Sequence, residues 1–321
     1  MKNKPIIIVA GEPYSIFLEI FFKIKKKYTF KRPLILIVSK KLLNRQMIEL
    51  KFKFKINEID KNNLSAKNLD NKKINIINVD FKFKNTFNKI SDKSNSYIKK
   101  SFKLALELLK INKDATLING PISKKNFLKK KFLGITEYLA DKTNKKNKVA
   151  MLIYNKNLSV SPITTHLPIK YIHNHLTQQK IINHIKLINL FYKNRFNTVP
   201  KIAITGLNPH CESNYQSSEE DKIIKPAIKK LIKLKYNIKG PFAADTIFMR
   251  EQSKKYDVIV GMYHDQVLTP IKTLYGFNAI NITLGLPFIR ISPDHGPNNQ
   301  MLGKNLSNPK SLFEAIKFLD K

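Results

Sequence analysis

The chain has 321 residues, with 59 Lys and Arg against 23 Asp and Glu and a formal net charge of +36. That length admits one large domain or two ordinary ones, and 42% apolar residues exclude a disordered chain. The charge invites a nucleic-acid or anionic-membrane reading, but the excess is almost all Lys, scattered among Asn, Ile and Phe, and Arg is scarce.

In chain order, residues 6–10, 34–38, 74–79, 116–118, 149–154, 158–163, 202–205, 258–262 and 279–282 are short apolar runs. They are continuous and β-branched, as strands covered on both faces should be. The polar segment 51–73 reads as a mobile excursion. A first helix face carries Ile98, Phe102, Ala105 and Leu109. The Lys/Asn-rich tract 141–148 reads as an exposed turn. A helix over 177–191 groups Ile181, Ile185 and Ile188, with His173, His175 and His184 on or near it as a solvated face. A third helix groups Ile224, Ala227, Ile228 and Leu231 behind a capping box of Ser217 with Glu220. Alternating strand and helix predicts an α/β fold with a mostly parallel sheet and no internal repeat.

The run 6–10 is too short for a signal-peptide core or a membrane span. The longest uncharged stretch, 275–289, contains Asn, Gly and Pro, so a soluble cytoplasmic protein with no membrane contact is expected. A single cysteine, Cys211, excludes a disulfide framework and any multi-Cys metal site.

Three histidines share one context. His166 follows the run 158–163 in Thr164-Thr165-His166-Leu167-Pro168. His210 follows 202–205 in Gly206-Leu207-Asn208-Pro209-His210. His264 follows 258–262 in Met262-Tyr263-His264-Asp265-Gln266. Each falls just past the carboxyl end of a strand, the edge at which open α/β sheets bind ligands. Three neutral imidazoles suit Zn, Co, Ni or Fe and leave positions open for substrate. The same spacing is compatible with three independent polar loop residues.

Two further clusters stand out. Lys272, Asn281 and Arg290 flank the run 279–282 and the loop behind it, offering two cations and an amide to a phosphate or carboxylate. Arg290 ends the apolar loop Leu286-Pro287-Phe288-Ile289-Arg290. The segment Asn119-Gly120-Pro121-Ile122-Ser123-Lys124 is a site loop or an ordinary turn. No G-x-G-x-x-G follows a strand and no Walker A sequence is present, so a bound nucleotide uses neither loop.

These motifs, with Gly240-Pro241, Ala244-Asp245-Thr246, the run Asn281-Ile282-Thr283-Leu284-Gly285 into Arg290, and Asp294-His295-Gly296, resemble the PdxA family of 4-hydroxythreonine-4-phosphate dehydrogenases nearly end to end. The resemblance implies two α/β/α domains flanking a cleft, as in isocitrate and isopropylmalate dehydrogenases. The first would span 1–125 plus 280–321 and the second, with metal and dimer contacts, 126–279. It implies a homodimer with the active site at the interface and NAD or NADP bound without the usual fingerprint, at residues the sequence does not identify. A divalent metal (Zn, Mg or Co) would be held by His166, His210 and His264. Thr136, Lys272, Asn281 and Arg290 match substrate contacts, and Asp245 and Lys124 match positions near the reacting atoms.

The chain departs from the family pattern at four places. Ile135 replaces a substrate-contacting His, Ser15 and Phe17 stand where the family has glycines, and Ser218 stands where a glycine is usual. These changes leave open a related phosphorylated hydroxy acid such as 4-phospho-threonate, which paralogues of the family oxidise, or a noncatalytic relative. Retention of all three histidines with Lys272, Asn281 and Arg290 weighs against the latter. A basic nucleic-acid-binding protein is the distant alternative, with no recognition helix, RNP-like pattern or zinc finger in the sequence to support it.

Overall fold

Strand-forming apolar runs and amphipathic helices alternate along the computed structural model, which describes residues 4–62, 64, 68–112, 114–129, 131–212, 218–276, 278–293 and 295–321. Its strands are β1 (Ile6–Val9), β2 (Leu34–Val38), β3 (Ile56–Glu58), β4 (Ile74–Asn78), β5 (Thr116–Asn119), β6 (Ala150–Tyr154), β7 (Ser159–Thr164), β8 (Ile202–Thr205), β9 (Ile238–Phe242), β10 (Val258–Tyr263), β11 (Ile280–Leu284) and β12 (Arg290–Pro293). Its helices are α1 (Phe17–Lys27), α2 (Lys40–Glu49), α3 (Asn95–Ile111), α4 (Ile135–Lys142), α5 (Gln178–Phe196), α6 (Lys225–Lys233), α7 (Ala244–Ile247), α8 (Arg250–Ser253), α9 (His264–Tyr275) and α10 (Lys310–Leu319). Among the described residues no helix is long and apolar enough to cross a membrane.

The chain divides into two compact units, Met1–Tyr138 with Pro287–Lys321 and Leu139–Leu286. The resemblance put the two crossings at 125/126 and 279/280.

In the first unit the strands run in the order β3-β4-β2-β1-β5-β12, with every pair parallel. β1 lies at its centre, its four residues fully buried between β2 and β5. Such all-apolar strands require helices on both faces of the sheet. α1 buries Phe17, Leu18, Ile20, Phe21, Phe22 and Ile24, and α3 buries Ile98, Phe102, Ala105 and Leu109, as the periodicity predicted. Glu19 in the first turn of α1 and Lys25, Lys26 and Lys27 in its last turn complement the helix dipole. The polar segment after residue 51 supplies β3.

In the second unit the order is β11-β6-β7-β10-β8-β9. β7, β10, β8 and β9 are mutually parallel, whereas β6 runs antiparallel to both β7 and β11. The sheet is mostly parallel, as expected, and mixed only through the reversed β6. β6 and β7 are joined by only the four residues 155–158, too short a connection for a parallel crossover.

Two local readings change. His184 is buried, not on a solvated face. Its Nε2 lies 2.6 Å from Ser161 Oγ. That hydroxyl donates to the Met151 carbonyl, so it accepts the Nε2–H. Burial, then the charge of Lys180, pushes the imidazole down to about 3. Ser217 of the expected capping box lies outside the described residues. Ser218 takes that role one position later, its Oγ accepting the Asp221 amide at 3.3 Å and meeting the Asp221 carboxylate at 3.1 Å.

Candidate active site

β7, β10 and β8 are parallel neighbours in that order, so their carboxyl ends share one edge of the second unit. His166 lies two residues beyond β7, His264 opens α9 directly after β10, and His210 lies in the loop after β8. The rings of His166 and His264 meet, their centroids 5.6 Å apart. His264 Nδ1 is 2.7 Å from Asp265 Oδ1. A carboxylate only accepts, so Nδ1 carries the proton and Nε2 keeps its lone pair for a ligand.

The three strand ends are tied to one another. Thr164 Oγ1 donates to the Met262 carbonyl at 2.7 Å, joining the ends of β7 and β10. Gln266, in the first turn of α9, accepts at Oε1 from the Met262 amide (2.7 Å) and from Thr205 Oγ1 (2.9 Å). Its Nε2 donates to the Gly206 carbonyl at 2.8 Å, so one side chain joins the ends of β10 and β8.

The His210 loop is held from the other side by the buried Glu220. Its Oε1 accepts from the amides of Leu207 (2.7 Å) and Asn208 (2.9 Å), and its Oε2 accepts from Asn208 Nδ2 at 2.8 Å. Burial works to raise this carboxyl, but the bonds from Asn208 and Leu207 outweigh it and leave it below the usual range. Gly206 is required here, because a Cβ would lie 2.8 Å from Cys211 Sγ and 3.0 Å from Glu220 Oε1. The backbone is left-handed at His166 (φ 45°), His210 (φ 57°) and Cys211 (φ 61°). Non-glycine residues in that region cost about 1 kcal/mol or more each and collect where function demands them.

Among the described residues no three His, Cys, Asp or Glu side chains converge as a metal-holding group. Asp245 approaches the loop that carries His210. α7, which carries it, packs on the His210 loop, and the Cys211 thiol is pushed up by burial first and by the carboxylates of Glu220 and Asp245 after that. Lys272 is exposed in the last turn of α9. Asn281 is half-buried in β11, its Oδ1 enclosed without a hydrogen bond.

The remaining predicted residues lie in the first unit. Arg290 starts β12 rather than ending a loop, and it is fully buried. Its Nε donates to Asn119 Oδ1 at 2.7 Å and its guanidinium reaches Thr136 Oγ1 at 3.4 Å. Burial pushes it down to about 10 against the raising charge of Glu137, so it stays cationic at neutral pH. Thr136 sits in the first turn of α4, behind the half-buried Ile135. Lys124 is exposed, at the start of a short turn capped by Ser123. The sequence places Asn119 in a segment that is either a site loop or an ordinary turn, and it does not mark Gln266, Glu220 or Thr164 as holders of the site. The one available signal is that Asn119, Thr164 and Gln266 are polar residues in or close behind apolar strands; Glu220, in a helical turn well beyond β8, carries none.

The first loop has closed over its missing glycines. Ser15 Oγ donates to the Glu12 carbonyl at 2.7 Å and accepts the Phe17 amide at 3.3 Å. Phe17 is buried and stacks at 6.5 Å on His295. Asp294, beside it in the motif, lies outside the described residues. Glu12 is buried, and its carboxyl is raised to about 7 by burial, against the lowering contacts of Ser94 and the Tyr14 amide.

Parallel strands that deliver polar and ionisable side chains to one edge form the standard frame of α/β enzymes. Comparison with known proteins makes the class specific. The family described as "Pyridoxal phosphate biosynthetic protein PdxA" matches residues 29–319. A 4-hydroxythreonine-4-phosphate dehydrogenase of Sulfurihydrogenibium sp. (strain YO3AOP1) is 38% identical over 96% of this chain and 95% of its own. The crystal structure of a 4-hydroxythreonine-4-phosphate dehydrogenase from Klebsiella pneumoniae superposes with a TM-score of 0.85 at 26% identity, covering 98% of this chain and 97% of that one. An isocitrate dehydrogenase from Methylococcus capsulatus shares the fold at a TM-score of 0.50 and 8% identity, covering 99% of this chain and 85% of that one. The chain belongs to the PdxA family.

Proposed function

We propose that the chain oxidises 4-phosphohydroxy-L-threonine to 2-amino-3-oxo-4-phosphooxybutanoate, which decarboxylates to 3-amino-2-oxopropyl phosphate, in pyridoxine and pyridoxal phosphate biosynthesis. Membership of a dehydrogenase family supports the oxidation. The observation that carries the site is the His166–His264 pair, held at adjoining strand ends with the Nε2 of His264 left open by Asp265.

The imidazole donors fit a divalent metal, and the enforced backbone at His166 and His210 fits ligands that must point one way. A Zn, Co or Mg ion bound there would lower the pKa of the substrate hydroxyl and draw electrons from the new carbonyl during decarboxylation. NAD or NADP, when bound, would supply the hydride acceptor. We assign the completed pocket to the interface of a homodimer, since among the described residues of one chain no three such side chains converge. The setting we assign is the cytoplasm, where free dinucleotide is available.

The chain's own residues then bind, orient and move the proton. Lys272, Thr136 and Arg290 supply two charges and a hydroxyl to the phosphate, fixing the distance from phosphate to reacting hydroxyl. Asn281 Oδ1, a buried acceptor with no hydrogen bond among the described residues, suits the substrate ammonium or hydroxyl. Asp245, beside the His210 loop, takes the hydroxyl proton, with Lys124 the second choice for that step. The carbanion left by the departing carbon dioxide takes up a proton from the same group.

Ile135 favours one alternative. Its hydrocarbon side chain donates nothing to a phosphate, so a related acid such as 4-phospho-threonate is the second substrate to test. The experiment follows NADH or NADPH formation from both compounds with and without a chelator. Chelator-sensitive turnover of the first compound is expected. His210→Ala should abolish turnover while leaving the circular dichroism unchanged, and an active His210→Ala protein would sink the metal assignment.

A further inference from the structure

We infer that Gln266 is a positioning residue for the metal pocket: one amide side chain fixes how both the His264 and the His210 segments leave the sheet. This rests on the metal reading above. The three atoms that hydrogen-bond to the Gln266 amide, Thr205 Oγ1, the Met262 N–H and the Gly206 carbonyl, all belong to the ends of β8 and β10. The Met262 amide it binds belongs to the same residue whose carbonyl accepts from Thr164, so the tie extends to the strand that delivers His166. Gln266 is buried, and both ends of its amide are used in the only sense its chemistry allows: the oxygen takes two donors and the nitrogen gives to a carbonyl.

The site has been built to admit this group. A Cβ at position 261 would fall 2.8 Å from Gln266 Oε1 and 2.5 Å from Val267 Cγ1, so Gly261 leaves the space the amide occupies. No apolar side chain can replace it, because the Thr205 hydroxyl and Gly206 carbonyl would be left buried and unpaired. A glutamate would keep the acceptor but set a second oxygen against the Gly206 carbonyl. The consequence is a geometry of the imidazoles fixed before metal arrives, and partners of this kind are worth about 10–100-fold in metal affinity.

The test uses the full-length protein and Co²⁺, whose visible d–d absorption reports coordination geometry. Wild type, Gln266→Met, Thr205→Val and Tyr192→Phe are titrated with Co²⁺ and unfolded thermally without metal. Tyr192→Phe is the control, because it removes a buried hydroxyl bonded to Ser159 at 3.1 Å and placed at the other end of β7. Gln266→Met is expected to bind Co²⁺ at least 10-fold more weakly with an altered band shape. Thr205→Val, which keeps the fold if Gln266→Met does not, should show a smaller loss of the same kind. Tyr192→Phe should lower the melting temperature with affinity and spectrum unchanged. Destabilised Gln266 and Thr205 variants with wild-type Co²⁺ affinity and spectrum would overturn the inference. If wild type and His264→Ala take up Co²⁺ equally, the metal reading itself fails and takes the inference with it.

Discussion

Glu12 and His184 are buried groups whose protonation couples to folding in opposite senses. Glu12 holds its proton to about pH 7 when folded and to about 4.5 when unfolded, so its contribution is present in acid and is lost as pH rises from 4.5 to 7. His184 resists protonation down to about 3 when folded against about 6.5 unfolded, so its contribution is lost as pH falls through that window. Glu12→Gln should remove the first effect. Its stability by urea unfolding is expected to gain on wild type by about 2–3 kcal/mol between pH 4.5 and 7.5, and a constant difference across that range would refute the assignment. Ile135 offers a second test. Restoring a donor with Ile135→His should lower KM for 4-phosphohydroxythreonine with little change in kcat, since the added bond is made equally to substrate and transition state. No change in KM would mean that position 135 does not face the phosphate.

The strands were legible because runs such as Ile6–Val9 and Leu34–Val38 are apolar at every position, which only a doubly covered sheet tolerates. β3, β9 and β12 were not read as strands: the first is three residues long with two of them polar, the second holds Gly240 and Pro241, and the third begins on Arg290. The strand-end histidines were legible for the same reason as the strands. The ties among them were not, because Gln266 and Thr205 are 61 residues apart in the chain and an amide's partners leave no periodic trace. The loop after β8 gives the element-level prediction. Gly206→Ala sets a methyl against Cys211 Sγ and should cost about 1–3 kcal/mol, read as a fall in melting temperature. Adding Cys211→Ala should recover part of the loss. A double variant no more stable than the single one would place the strain elsewhere.

For the molecule as a whole, the +36 charge acts at long range even where individual lysines touch nothing. A doubly anionic phosphate and a dinucleotide are drawn toward such a surface, so kcat/KM should fall as ionic strength rises from about 0.01 to 0.15 M while kcat holds. A flat response would reduce the surplus to background composition. The order of the strands has a separate consequence for synthesis. The second unit is one uninterrupted stretch, complete once Leu286 has been made, whereas the first must wait for β12 to pair with β5 and for α10 to bury Leu312, Ile316 and Leu319. Until then the edge of β5 and the apolar flank of α1 stay uncovered. The half of the chain that leaves the ribosome first is therefore the last to close, and during that interval its exposed strand edge is the part most in need of protection from other chains.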